Sequence, residues 1–202
     1  MKQFLKVLVV SSVALFSIGV QASIITSADV EQFTITTPDK WTVANANTLI
    51  DGKFDNIHAE INQVNSRFIG FRNDGEQLSS SKPVSILIDL NGSFIITGFS
   101  FYNDWGNILQ QQVVELNIGF FGSNGQIGDS IFATALSKNT FDIISIFDDK
   151  VFGGVEQIKL DITGVNKTNF EIRELVFNVN SPSTFGLLLL LTLALVLRAR
   201  KY

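Results

Sequence analysis

Short segments in which apolar and polar residues alternate occupy most of the middle of this chain. Within residues 155–162, Ile158, Leu160 and Ile162 fall on one face, while Lys159 and Asp161 fall on the other. A repeat of two residues is typical of half-buried antiparallel strands, because successive side chains of a strand point to opposite faces. The pattern predicts strands at residues 32–36, 84–90, 94–102, 113–121, 130–133, 140–147, 155–162 and 170–179.

Glycine and asparagine mark the predicted turns between these strands. Leu90-Asn91-Gly92-Ser93 predicts a hairpin, and Gly122-Ser123-Asn124-Gly125 predicts a second one. About eight strands without an internal repeat or linker predict a single all-β domain, an antiparallel jelly-roll β-sandwich. Residues 52–83 are rich in Asn, Asp, Ser and Gly and are long for a connection. They are interpreted either as a binding loop or as a poorly ordered excursion.

The N-terminal segment has the features of a secretory signal peptide. Lys2 and Lys6 precede an apolar stretch, and Val20-Gln21-Ala22 matches a small-x-small cleavage site. Residues 1–22 are therefore predicted to be removed, which leaves Ser23 as the mature N-terminus. The alternative is a short membrane anchor that is not cleaved.

The C-terminal segment predicts a membrane-sorting signal. The uncharged residues 185–197 would form a helix about 20 Å long, and the basic residues after it would remain cytoplasmic. The layout of residues 182–202 resembles the PEP-CTERM signal of exported bacterial proteins, which implies recognition by an exosortase in the inner membrane. Only the second proline of the family's Pro-Glu-Pro is present, since the chain has Asn180-Ser181-Pro182 here. The residues assigned to this signal are Pro182, Ser183, Thr184, Arg198, Arg200 and Lys201. The alternative is an ordinary C-terminal membrane anchor.

Composition narrows the function of the remaining body, residues 23–181. Five of the 15 basic residues lie in the two removed ends, so the body has ten basic and 19 acidic residues, a net charge of −9. This balance argues against nucleic acid, whose binding depends on basic side chains, and it is compatible with calcium. The chain has no cysteine and one histidine, His58, which excludes thiol chemistry and leaves histidine catalysis a single candidate.

The order of motifs in the body resembles the discoidin or coagulation-factor C-type domain, a galactose-binding-like jelly roll. The resemblance covers residues 48–179 and rests on Ile50-Asp51-Gly52, on Ile88-Asp89-Leu90-Asn91-Gly92 and on the closing Arg173-Glu174-Leu175. The family's Thr-Arg-Trp motif is absent, and Asn65-Ser66-Arg67-Phe68 is the candidate replacement after an insertion.

In that family a calcium ion often connects the Asp-Gly loop with the last strand. The resemblance implies Asp51, Asp55 or Asn56, and Glu174 as ligands, with backbone carbonyls completing the shell. These are the hard oxygen donors that calcium prefers. The alternative is that Asp51 only shapes a turn and Glu174 faces solvent.

A second candidate site follows the predicted strand 94–102. Sugar recognition uses flat aromatic rings and planar polar groups, and Trp105 lies there between such groups. The predicted ligand-binding residues are Trp105, Asn103, Asp104 and Asn107, joined by Arg72 and Asn73 from the long connection. The alternative is that Trp105 caps the core, because tryptophan is usually well buried. Trp41 has no polar neighbours in sequence and is predicted to be core.

Together these features predict an exported, non-catalytic module that binds extracellular polysaccharide or another glycan, anchored in the inner membrane or released to the surface or matrix. One alternative is a structural surface or biofilm-matrix protein that makes protein contacts without binding sugar. A glycoside hydrolase with paired carboxylates is a weaker alternative, since no acidic pair lies in a recognisable catalytic motif.

Overall fold

The computed structural model describes residues 22–44, 49–50, 69–73, 76–104, 112–134, 143–147, 150–166 and 169–180. The chain divides into two compact units, Ile24–Val179 and a unit composed of Met1–Ser23 and Asn180–Tyr202. The predicted sorting tail, His58 and all of the predicted signal peptide except Ala22 lie outside the described residues. Within the described ranges there is no helix with the length and hydrophobicity of a membrane span.

The described part of the chain contains eleven strands and one 3₁₀ turn, at Ser27–Asp29. The strands are β1 (Ala22–Ile24), β2 (Val30–Thr36), β3 (Trp41–Ala44), β4 (Ile69–Asn73), β5 (Val84–Asp104), β6 (Val113–Gly122), β7 (Gly125–Gln126), β8 (Ile131–Thr134), β9 (Ile143–Phe147), β10 (Phe152–Val165) and β11 (Asn169–Asn180). As far as the described residues extend, each strand predicted from alternation is present, with ends shifted by a few residues. The sequence pattern missed β1, β3, β4 and β7, because each has only two to five residues, too few to show a period.

The strands form two antiparallel sheets that share the long strand β5. Its first half pairs with β2 and β10, and β10 pairs in turn with β6, which carries β7 and β8. Its second half pairs with β9 and β11, and β11 pairs with β4, which pairs with β3. The beginning of β10 also pairs with residues 94–96 of β5, so the pairing continues from one sheet into the other. We call these the first sheet and the second sheet. Strand β1 is attached to β11.

The hairpin predicted at Asn91-Gly92 is wrong. The two halves of β5 do not pair with each other. Strand β10 pairs with β5 on both sides of this point, so β5 continues through it and passes from the first sheet to the second. Between the pairs Gln157↔Asp89 and Val155↔Phe94, four residues of β5 lie opposite one residue of β10. The Asn91 side chain donates a hydrogen bond to the Ala28 carbonyl at 2.8 Å, so the asparagine fixes this corner to the N-terminal turn.

The two sheets enclose one hydrophobic core. Alternate residues of β5, β6 and β10 are fully buried and their neighbours partly exposed, as the period-two pattern predicts. Trp41 is 4% exposed, and its ring centroid lies 5.6 Å from that of Phe170, which confirms its predicted place in the core. Core side chains of this size stabilise the fold by about 1.5–3 kcal/mol each through burial. They include Ile86, Ile88, Phe99, Phe101, Leu116, Ile118, Phe120, Ile158, Leu160, Ile162, Phe170, Leu175 and Phe177.

The predicted hairpin at Gly122–Gly125 is confirmed, and it makes Gly122 a sensitive position. Gly122 pairs with Gly125, and a Cβ added at Gly122 would lie 2.5 Å from the carbonyl oxygen of Gly154. We expect Gly122→Ala to lower the free energy of unfolding by about 1–3 kcal/mol, because a backbone oxygen cannot move away as a side chain can.

Gly153→Ala is the matched control, since a Cβ at Gly153 meets nothing within 4 Å. Its free energy of unfolding should stay within about 0.5 kcal/mol of the wild type. Denaturant unfolding of the two variants measures this difference, and equal midpoints would contradict the close packing at Gly122.

Candidate functional site

Strand register brings four of the predicted ligand-binding residues to one end of the second sheet. Asn103 and Asp104 end β5 and pair with Ile172 and Glu171 of β11. On the other side of β11, Arg72 of β4 pairs with Asn169, and Asn73 follows it. Residues that are distant in the sequence therefore meet where β11 begins.

The strand ends that carry these four residues lie one strand apart. Strand β11 lies between β4 and β5, so their backbones are about 10 Å apart, two strand spacings. Arg72 and Asn73 end β4, and Asn103 and Asp104 end β5. Trp105 directly follows Asp104 in the chain, and both Trp105 and Asn107 lie outside the described residues. Whether all six residues form one site therefore stays a prediction.

The predicted calcium ligand Glu174 is buried, although the alternative interpretation had it facing solvent. Its residue is 1% exposed. A register shift between Ile172 and Glu174 leaves Arg173 unopposed on β5, and this β-bulge pairs Glu174 with Tyr102. A buried carboxylate is costly unless a cation or hydrogen-bond donors compensate its charge.

The chain just before the predicted Asp-Gly loop contacts the strand that carries Glu174. The Leu175 N–H donates a hydrogen bond to the Leu49 carbonyl at 3.0 Å, and Leu49 and Ile50 are both buried. Asp51 follows Ile50 directly, and Asp51, Asp55 and Asn56 lie outside the described residues. Among the residues that the structure does describe, no three His, Cys, Asp or Glu side chains are grouped as a metal site would need.

Tyr102 reports on the environment of Glu174. Burial raises the pKa of the Tyr102 phenol above its ordinary value of 10, and the negative charge of Glu174 raises this pKa further. The folded protein thus holds the phenolic proton more tightly than the unfolded chain does. This contribution to stability is complete below about pH 10 and is lost as pH rises through the folded pKa.

We expect a spectrophotometric titration to show this directly. The chain has only two tyrosines, so in Tyr202→Phe the ultraviolet signal comes from Tyr102 alone, with a midpoint above pH 10. Adding Glu174→Gln should lower that midpoint without returning it to 10, because burial is the larger cause. A midpoint that does not change on Glu174→Gln would contradict the proximity of the two groups.

A further groove lies on the outer face of the first sheet and contains none of the predicted site residues. Its volume is about 600 Å³, and it lies between Phe132 of β8 and the turn at Leu78 and Ser79. No motif in the sequence marks it. The available signal is Phe132, a large aromatic residue that the alternation in Ile131–Thr134 places outward and that is 61% exposed.

Comparisons with known proteins support the fold. No protein-family model matches the chain, and no curated protein matches it. Among solved structures, the family 32 carbohydrate-binding module of NanJ from Clostridium perfringens, solved in complex with galactose, is 14% identical. The match covers 78% of this chain and 99% of that one, with a TM-score of 0.51. A fucose binding module from Streptococcus pneumoniae is 16% identical over 78% of this chain and 96% of that one, with a TM-score of 0.50. The predicted galactose-binding-like β-sandwich is thereby confirmed.

Proposed function

We propose that this protein is an exported, non-catalytic module that binds carbohydrate at the end of the second sheet, where β5 leads into Trp105. The observation that carries the proposal is the convergence of Arg72, Asn73, Asn103 and Asp104, by strand register, on the segment that precedes Trp105. Guanidinium, amide and carboxylate groups can form hydrogen bonds with sugar hydroxyls, and an aromatic ring such as that of Trp105 can stack on C–H faces.

The fold adds independent support. The two similar structures, one solved with galactose and the other described as a fucose binding module, place carbohydrate binding on this architecture. Fold alone does not determine function, so the site residues have to carry the assignment.

Glycan binding by the full-length protein tests the proposal. The protein should be kept in a polyoxyethylene detergent, because the sugar headgroup of a maltoside would compete. We expect retention on immobilised glycans that end in galactose or fucose, and about tenfold weaker binding for Trp105→Ala. Trp105→Phe keeps an aromatic ring and should retain most of the affinity, while Val151→Ala, exposed and distant in sequence, should match the wild type.

Two results would contradict this proposal. One is the absence of retention on every glycan although the protein is folded by circular dichroism. The other is retention that Trp105→Ala leaves unchanged. Self-association without any dependence on saccharide would instead support the structural matrix protein considered in the sequence analysis.

We further propose that a calcium ion connects the Asp51 loop to β11. The support is that Glu174 is buried on β11 and that the next residue, Leu175, is hydrogen-bonded to Leu49. Leu49 precedes Asp51 by two residues, so the start of the Asp51 loop lies beside this strand. Asp51, Asp55 or Asn56, and Glu174 would hold the ion, because carboxylate and amide oxygens are the ligands that calcium prefers. The ion would tie two distant chain segments together in a protein without disulfides.

We also propose that residues 1–22 direct export and that residues 182–202 sort the protein through an exosortase, which places the module outside the cytoplasm. The support is the three-part layout of a Pro-Ser-Thr element, an apolar segment and a basic end. Intact-mass measurement of protein recovered from cells with and without an exosortase tests this. A tail that remains attached in both would identify an ordinary membrane anchor instead.

A further inference from the structure

The groove on the outer face of the first sheet, introduced above, is built on one transverse row of paired residues. Asn117 of β6 pairs with Phe132 of β8 on one side and with Asp161 of β10 on the other. Asp161 pairs in turn with Ser85 of β5. Directly paired residues of neighbouring antiparallel strands point to the same face, so this row forms a continuous surface.

The row continues to the edge of the sheet, which makes the surface long rather than pocket-like. Ser85 pairs with Thr36 of β2, so five neighbouring strands contribute one residue each. Four strand spacings give this row a length of about 19 Å. An aromatic residue begins the row, and polar residues follow it to the far edge.

Two polar groups of the row, Ser85 and Asp161, are held in place before any ligand arrives. The Ser85 hydroxyl donates a hydrogen bond to one oxygen of the Asp161 carboxylate at 2.5 Å. The Lys159 ammonium contacts the other carboxylate oxygen at 2.8 Å. Beside them, the Glu115 side chain lies against Gly164, where a Cβ would be 2.9 Å from it. Groups fixed in this way lose little conformational entropy on binding.

The charge of the groove selects among ligands. Its lining includes the carboxylates of Glu115 and Asp161 and no lysine or arginine among the described residues. The cation beside the row, Lys159, is paired with Asp161. Anionic glycans, phosphates and nucleic acids would be repelled. Neutral hydroxyls can accept hydrogen bonds from the ammonium and donate hydrogen bonds to the carboxylates and to the side-chain amide oxygen of Asn117.

We propose that this groove is a second carbohydrate site that takes the internal part of a neutral polysaccharide chain, laid across the strands with one sugar ring on Phe132. Phe132 is 61% exposed, an unusual fraction for so large an apolar side chain, and it stands beside the planar amide of Asn117. The site is separate from the loop-end site proposed above, which lies on the other sheet and suits a chain terminus. The two sites together would allow the module to hold a polysaccharide both along its length and at its end.

Binding of immobilised neutral polysaccharides (galactan, glucomannan, xylan and β-glucan) to the full-length protein in polyoxyethylene detergent tests this site. We expect at least one of them to bind, and Phe132→Ala and Asn117→Ala to weaken that binding about tenfold. Phe132→Tyr should bind as the wild type does. Phe132→Ala should leave binding to terminal galactose or fucose unchanged, and Trp105→Ala should show the opposite pattern.

Three outcomes would overturn the second site. The first outcome is that the wild type binds none of the four polysaccharides. The second outcome is that Phe132→Ala binds them as well as the wild type does. The third outcome is binding that falls steeply between about 0.05 and 0.5 M salt, because binding of these uncharged chains through hydrogen bonds and stacking should be nearly independent of salt. If the wild type binds the polysaccharides but not the terminal sugars, the loop-end site is rejected and the groove site is still supported. The two proposals can therefore fail separately.

Discussion

Replacing Phe99 with alanine should lower the free energy of unfolding by about 3–5 kcal/mol, a large part of the stability of an ordinary domain. Phe99 is fully buried, and its ring stacks on Phe177 of the neighbouring strand with centroids 4.7 Å apart and planes 12° apart. It also meets Phe101 edge to face at 6.5 Å. Truncation removes these contacts and leaves a cavity that two sheets joined through β5 cannot close. The midpoint of urea unfolding measures the loss.

Phe132→Ala is the control for this experiment, because it makes the same chemical change at a site that is 61% exposed. Its free energy of unfolding should remain within about 0.5 kcal/mol of the wild type. Equal losses for the two variants would mean that Phe99 is not in a tightly packed core. The same control establishes that Phe132→Ala is folded, which the binding experiments on the groove require.

Calcium should raise the melting temperature of the full-length protein, and a chelator should reverse the change. A ligand present at a hundred times its Kd stabilises the folded state by about 2.7 kcal/mol, which corresponds to about 5–10 °C for a protein of this size. Differential scanning calorimetry with and without calcium measures the shift. Magnesium should produce a smaller shift, because it requires a stricter octahedral shell.

The calcium response should depend on the buried carboxylate. Glu174→Gln should abolish the shift, whereas Glu156→Gln, which changes an exposed carboxylate on β10, should leave it intact. A melting temperature that calcium does not change in the wild type would reject the ion. Tyr102 offers an independent measurement, since a cation at Glu174 would offset its charge and lower the pKa of the Tyr102 phenol.

Some features of this protein follow from the sequence because they depend only on neighbouring residues. The alternation in residues 155–162 predicts both the existence of β10 and its buried face, since side chains of a strand point to alternate sides wherever it lies. The turn at Gly122–Gly125 is equally local, because Gly125, with φ of +100°, has a conformation that glycine adopts without strain. The burial of Trp41 follows from its size and apolar surroundings.

The predicted hairpin in β5 shows where local information ends. Asn91-Gly92 has the composition of a tight turn, but a hairpin forms only if its two flanking strands pair with each other. In this protein β2 pairs with the first half, β9 and β11 pair with the second, and β10 pairs with residues on both sides of the corner. Competition for hydrogen-bonding partners that are distant in sequence therefore decides the path of the chain.

The candidate sites divide in the same way. The sequence by itself determined that the body is an acidic, cysteine-free, antiparallel β domain, because composition and period are properties of the chain alone. Only the tertiary structure decided that a bulge at Arg173 buries Glu174, that Arg72 and Asp104 lie on either side of β11, and that Phe132, Asn117 and Asp161 form one row. The physical reason is strand register: a shift of one residue turns each side chain to the opposite face, and register depends on partners that no local pattern identifies.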